Sequence, residues 1–279
     1  MAYRKRKRRR LPKNFVKIAA ASLVIIGVGF GALWALWALP KSGFRFPWEA
    51  TRAERVANAL AANPNLVNFY GPLQRYFPED YAELARGVAS LKKRGASDEE
   101  IAQYSFLAMR AFVAEHMQDI ASAPTPVLVR IAKSQANVAR ILSRENPAAC
   151  AQYGVSGLKS QTLASLSPAA RANIGAGVRA TIEAAHKGAA SPITREARLS
   201  QEDTGQLVRA LSQSGLSEPQ LRLLSKGGID KASVLDQCQV SLALYEAIAR
   251  MPPDKAARVT SSLLRQSTQQ EAGPVNSLS

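Results

Sequence analysis

Histidine is nearly absent from this sequence, and its scarcity excludes several classes of enzyme. Only two of the 279 residues are histidines, His116 and His186, and each stands alone in a predicted helix. The His-Glu-x-x-His spacing of zinc hydrolases does not occur. The Gly-x-Ser-x-Gly motif, which in serine hydrolases presents the nucleophilic serine that a histidine activates, is also absent. The glycine patterns of phosphate-binding and dinucleotide-binding loops are missing too. The sequence therefore predicts no catalytic residue, no metal site and no cofactor.

Carboxylates offer the competing, catalytic interpretation. Paired Asp or Glu side chains cleave glycosidic bonds, so a glycan hydrolase or lyase acting on the cell wall is the alternative function. The candidate residues are Glu145, Glu183, Glu202 and Asp203. Their sequence context is ordinary, and Glu202 and Asp203 fall in the first turn of a predicted helix, where the helix dipole alone favours acidic residues. The sequence favours a protein without enzymatic activity.

Acidic residues are also few, 21 against 37 lysines and arginines, and the net charge is +16. The excess is concentrated, because residues 1–17 contain nine cationic side chains and no acidic one. The other residues contain 28 cationic and 21 acidic side chains, a net charge of +7. A chain that is basic throughout would suggest nucleic-acid binding, whereas this distribution assigns much of the charge to a tail.

Charged residues are absent from residues 18–39, a run of 22. As a helix rising ~1.5 Å per residue this run would be about 33 Å long, close to the ~30 Å hydrocarbon core of a bilayer. Trp34 and Trp37 lie near its end, where indole rings favour the membrane interface. Because basic residues crowd the N-terminal flank, the positive-inside rule places residues 1–17 in the cytoplasm and residues 41–279 outside it.

Two alternatives to a membrane anchor are weaker. A cleaved signal peptide has an apolar region of about 7–15 residues and a small-x-small site, whereas here Ala32, Ala35 and Ala38 recur between bulky leucines and tryptophans. A core helix of a soluble protein would show an amphipathic pattern, and this run shows none. The alanine- and arginine-rich composition is typical of bacterial proteins, so we expect a retained single-pass anchor in the bacterial inner membrane with the main domain in the periplasm.

The basic run beside the span has two interpretations. Such runs bind nucleic acids or direct proteins to the nucleus, but next to a span they set topology and contact anionic lipid head groups, at ~1 kcal/mol per charge. The second interpretation is simpler, so no nucleic-acid partner is expected. The residues predicted to contact lipid are Arg4, Lys5, Arg6, Lys7, Arg8, Arg9 and Arg10.

Strand signals are missing from the rest of the chain. No segment alternates polar and apolar residues convincingly, and no hairpin turn pair occurs, whereas good helix formers are frequent. The clearest helix start is a capping box formed by Ser97 and Glu100. The predicted fold is all-α, with one N-terminal transmembrane helix followed by a compact multi-helix domain. The expected helices of that domain cover residues 49–62, 77–93, 97–120, 126–144, 166–187, 200–214, 217–225, 229–250 and 253–266.

The domain boundaries follow from the same patterns. Residues 1–17 are the basic tail, 18–39 the transmembrane helix, 40–47 a linker, 48–266 the extracytoplasmic helical domain and 267–279 a polar tail expected to be disordered. Weak points at residues 147–161 and 188–194, where glycines interrupt the helical pattern, leave open whether the domain is one unit or two. Both weak points are short, so one unit is favoured, and no repeat of fixed length is visible.

The two cysteines are informative about location. Cys150 is predicted in a loop after Pro147, and Cys238 in the helix at 229–250. In an oxidising compartment an even number of cysteines is most simply one disulfide, and closing 88 residues would stabilise the fold by about 4–5 kcal/mol in the chain-entropy model. The alternative is two free, buried thiols that act as small apolar residues.

These features predict a membrane-anchored extracytoplasmic helical interaction or scaffold module without catalytic activity. Its expected partners are membrane lipids, through the tail and the span, and a protein that the sequence does not identify. A third option is a subunit of a larger membrane assembly, in which the face formed by Gly27, Gly29 and Gly31 packs against another span; Gly27 and Gly31 have the small-x-x-x-small spacing. A homo-oligomer is a further option.

Overall fold

Twelve α-helices and one short 3₁₀ helix make up the part of the chain that the computed structural model describes, residues 67–226 and 228–271, and no strand occurs there. The 3₁₀ helix, Ile229–Lys231, precedes α11. The prediction of an all-α domain is confirmed. In chain order the α-helices are α1 (Val67–Tyr76), α2 (Pro78–Lys93), α3 (Asp98–Glu115), α4 (Met117–Ser122), α5 (Thr125–Glu145), α6 (Pro147–Val155), α7 (Ser160–Ser165), α8 (Pro168–Ala190), α9 (Gln201–Ser212), α10 (Glu218–Lys226), α11 (Val234–Arg250) and α12 (Pro253–Glu271).

The predicted N-terminal segments lie outside the described residues. These are the basic tail with its lipid-contacting side chains, the apolar span, the linker and the helix expected at 49–62. Among the helices that are described, none combines the length and the apolar character that crossing a bilayer requires.

Helix α5 is the element around which the domain is organised. It packs against α6, α8, α11 and α12. Ile131, Ala136 and Leu142 are buried along it, and each belongs to a different one of three hydrophobic clusters. Because a single helix contributes to all three clusters, the described helices share a core and form one compact domain.

Local capping signals set several helix starts. The Ser97 hydroxyl oxygen accepts a hydrogen bond from the Glu100 N–H, and the Glu100 carboxylate accepts one from the Ser97 N–H at 2.7 Å, which confirms the capping box. Ser167 and Ser200 accept hydrogen bonds in the same way at the starts of α8 and α9. Each cap satisfies a backbone N–H that has no partner within its own helix.

The two predicted interruptions, 147–161 and 188–194, are found, at residues 156–159 and from residue 191 to residue 200. Their extent differs from the prediction, because Gly154 and Gly188 lie inside helices that they allow to pack closely. Residues 147–155 form α6, so Cys150 lies in a helix and not in a loop. A β-carbon at Gly154 would lie 1.8 Å from the Ser241 Oγ of α11. Gly188 does not end its helix either, since α8 continues to Ala190 and a β-carbon at Gly188 would lie 1.8 Å from the Asp119 carbonyl oxygen of α4.

Several other boundaries differ from those predicted. The helix expected over 97–120 breaks at His116 into α3 and α4, although the sequence has no helix-breaking residue there. The helix expected from residue 229 begins at Val234, because the Ser233 side chain caps it. Helix α12 continues to Glu271, so the tail expected to be disordered from residue 267 begins as helix. Helices α1 and α7 have no counterpart among the predicted ones.

Candidate functional site

The two cysteines meet where α6 packs against α11. Both are buried, their Cα atoms are 5.1 Å apart, and their sulphur atoms are 2.04 Å apart, which is disulfide-bonding distance. Gly154 lies one turn beyond Cys150 on α6, and Ser241 lies three residues beyond Cys238 on α11. The close approach at Gly154 therefore occurs beside the cysteine pair. A bond between the two sulphurs would connect residues 88 positions apart in the sequence.

Three of the four carboxylates considered for glycan cleavage are held in ion pairs. The fourth, Glu145, is exposed at the end of α5. The pairs are Glu183 with Arg130 at 3.1 Å, Glu202 with Lys255, and Asp203 with Arg258.

Asp203 is the most strongly held of these carboxylates. It is 1% exposed, and the Nε and Nη2 atoms of Arg258 each lie 2.8 Å from one of its oxygens. The hydrogen bonds from Arg258 lower the pKa of Asp203 and outweigh its burial, which acts in the opposite direction. A general acid needs a raised pKa, so Asp203 is not suited to donating a proton near neutral pH.

The two histidines both lie near the ring of Phe77, the residue that precedes α2. The centroid of the Phe77 ring is 4.7 Å from that of His116 and 6.3 Å from that of His186. The His186 ring also stacks on Tyr76, with centroids 4.6 Å apart. Both imidazoles are thus half-buried among aromatic rings.

A group of ionisable side chains around His116 was not indicated by sequence spacing. Atoms of Asp80, Glu115 and His116 that could ligate a metal lie within 4.8 Å of one another, and the Asp119 Oδ2 is 3.3 Å from the His116 Nδ1. Burial raises the pKa of Asp80, while the charge of His116 opposes this rise and that of Glu115 adds to it. One histidine and two carboxylates form a donor set that divalent transition metals accept. Asp80 reaches the others because α2 packs on α3.

An apolar cavity of about 130 Å³ lies among α3, α5 and α8, with α6, α7 and the loop between them completing its wall. Most lining side chains are apolar, and Gln135 is the buried amide among them. Sequence reasoning missed Gln135. The available signal was its position, four residues after Ile131 and three before Val138, which is the spacing of the buried face of a helix.

No protein-family model, curated protein or solved structure matches this chain.

Proposed function

We propose that this protein is a membrane-anchored interaction module whose helical domain lies outside the cytoplasm. The observation that best supports this location is the Cys150–Cys238 pair, two residues 88 positions apart that the fold brings to bonding distance. Disulfides persist in oxidising compartments and are rare in the cytosol. The uncharged run at residues 18–39 and its basic flank agree with this location, because a span with that charge distribution delivers the following domain across the membrane.

The state of the carboxylates supports binding over catalysis. Cleavage of a glycosidic bond needs one carboxylic acid and one carboxylate on either side of the bond. Here Glu183, Glu202 and Asp203 are each paired with a cation, and the pKa of Asp203 is lowered. These pairs join separate helices, and the buried Asp203–Arg258 pair among them has a structural role.

Two reporter fusions test the location. Alkaline phosphatase, which is active only outside the cytoplasm, and a fluorescent protein that matures only inside it are each fused after Ser279. We expect phosphatase activity without fluorescence. As a matched control, replacing the seven basic residues at positions 4–10 with glutamine should reduce phosphatase activity, because it removes the charge that orients the span. Fluorescence of the unmodified fusion without phosphatase activity would contradict the proposal.

A second pair of measurements separates an interaction module from an enzyme. The full chain, extracted in a mild detergent, should form a particle with a protein mass above the 30.0 kDa of one chain when measured by light scattering. Incubation with cell-wall glycan strands should release no product. Product formation that Glu145→Gln abolishes, with the protein mass staying at one chain, would replace the proposal with the enzymatic interpretation.

A further inference from the structure

The apolar cavity contains a polar side chain that finds no partner in the described part of the chain. Gln135 lines the cavity from α5 and is only 5% exposed. Within residues 67–226 and 228–271 its side-chain amide makes no hydrogen bond. Buried amides in proteins are almost always hydrogen-bonded, because burying one without a partner costs free energy. Because the amide lines the cavity, a molecule inside the cavity would be placed to supply this hydrogen bond.

The rest of the wall is predominantly apolar. The lining includes Met109 and Val113 of α3, Ile131 and Val138 of α5, and Ile174 of α8. The Thr181 hydroxyl also lies in the wall, but it already donates to the Gly177 carbonyl oxygen at 3.0 Å. A ligand would therefore meet apolar groups on most sides and the Gln135 amide on one.

Size and charge narrow the class of ligand. Apolar cavities of about 150 Å³ bind benzene, and this cavity of about 130 Å³ is of similar size. Arg110 lies in the same wall, with its guanidinium carbon 5.9 Å from the centroid of the Phe106 ring. A charged ligand would lose its hydration in this largely apolar cavity, so a neutral ligand is favoured.

We propose that the cavity binds a small neutral organic molecule, or the ring end of a larger one, that bears one hydroxyl or carbonyl group. The apolar part of the ligand occupies the cavity. Its polar group forms a hydrogen bond with the Gln135 side-chain amide, which can both donate and accept. This inference does not depend on the location of the domain or on its role as an interaction module.

The test uses 4-fluorophenol and fluorobenzene as probes, titrated into the full chain in detergent and followed by fluorine NMR. Both probes should bind the unmodified protein saturably, with one site per chain. Gln135→Leu retains the shape of the side chain but removes its polar atoms. It should weaken 4-fluorophenol binding about five- to tenfold and leave fluorobenzene binding within about twofold, because only the phenol loses a hydrogen bond.

Two further variants separate binding in the cavity from adsorption to detergent or to the protein surface. Val138→Phe fills the cavity and should abolish saturable binding of both probes. If this variant does not fold, Val178→Leu, which adds less volume, takes its place. Gln103→Leu makes the same chemical change at an exposed position of α3 and should alter neither affinity. The proposal is overturned if neither probe binds the unmodified protein, if Gln135→Leu weakens both probes equally or neither, or if the filled variant binds as before.

Discussion

Gly154 on α6 lies so close to Ser241 on α11 that a β-carbon at position 154 would be 1.8 Å from the serine Oγ. Cys150 and Cys238 lie about one turn away on the same two helices, with their sulphur atoms at bonding distance. Glycine at position 154 thus permits the approach of α6 and α11 beside the cysteine pair. The contact is long-range in sequence, and it connects the middle of the domain with its penultimate helix.

The first prediction concerns this helix contact. Gly154→Ala should destabilise the protein by about 1–3 kcal/mol, because the added methyl group forces the two helices apart. Gly205→Ala is the matched control: Gly205 lies within α9 with no atom near its hypothetical β-carbon, so alanine there should stabilise by about 0.5–1 kcal/mol. Urea denaturation of the two variants, followed by circular dichroism, measures the difference. Equal changes in the free energy of unfolding in the two variants would contradict the close contact between Gly154 of α6 and Ser241 of α11.

The second prediction concerns the covalent link between the same helices. Replacing both Cys150 and Cys238 with serine should lower the free energy of unfolding by about 2–5 kcal/mol and leave the helical content at room temperature unchanged. Dithiothreitol should destabilise the unmodified protein by a similar amount and have no effect on the double variant. A reductant effect of the same size in both proteins would show that it does not act through this pair.

The third prediction concerns the pH dependence of stability. Arg258 lowers the pKa of Asp203 in the folded protein, so this pair stabilises above the unfolded-state pKa of about 4 and loses its effect as the pH falls through the lower, folded pKa. Asp203→Asn should lower the free energy of unfolding by about 2 kcal/mol at pH 7. This is less than the roughly 3–5 kcal/mol expected when a fully buried ion pair is broken, because the Arg258 side chain is 42% exposed and solvent screens the interaction. The difference from the unmodified protein should shrink below about pH 4. Thermal denaturation across this pH range measures it.

The adjacent Glu202→Gln variant is the control for this ion pair. The Glu202 side chain is 70% exposed and pairs with Lys255, so its loss should have little effect at any pH because solvent screens the interaction. If Glu202→Gln and Asp203→Asn have the same effect, the stabilisation does not come from the buried pair.

Features encoded within a few residues could be predicted from the sequence. Ser97 and Glu100 form the capping box that their spacing indicated, and Pro78 begins α2 in the manner typical of proline at the first helical position. The all-α class follows from many such local signals, because helical hydrogen bonds join residues only four apart.

The Cys150–Cys238 pair could be predicted because the sequence has only two cysteines, but other features that depend on a distant neighbour could not. The sequence predicts interruptions at Gly154 and Gly188, because glycine often ends helices. Glycine also lets helices approach closely, and only the helix opposite decides between the two roles. Asp80 joins Glu115 and His116 only through the packing of α2 on α3. The apolar cavity beside Gln135 likewise forms only when α3 and α8 pack on α5.

The fourth prediction concerns the N-terminal span. Because the end of residues 18–39 has no good cleavage site, the mature protein should retain Met1 or Ala2 and run near 30.0 kDa in the membrane fraction. N-terminal sequencing of that fraction is the measurement. A soluble form beginning near residues 39–43 would identify the segment as a signal peptide.

The central claim, that the helical domain lies in an oxidising compartment outside the cytoplasm, is tested most directly by the thiol state of Cys150 and Cys238 in the cell. Cells are treated with a membrane-permeant alkylating reagent before lysis, and the unreduced protein is digested and analysed by mass spectrometry. We predict one peptide pair linked through Cys150 and Cys238 and no alkylated cysteine, because no third cysteine competes for either sulphur. Full alkylation of both cysteines would contradict the bridge and, with it, the location.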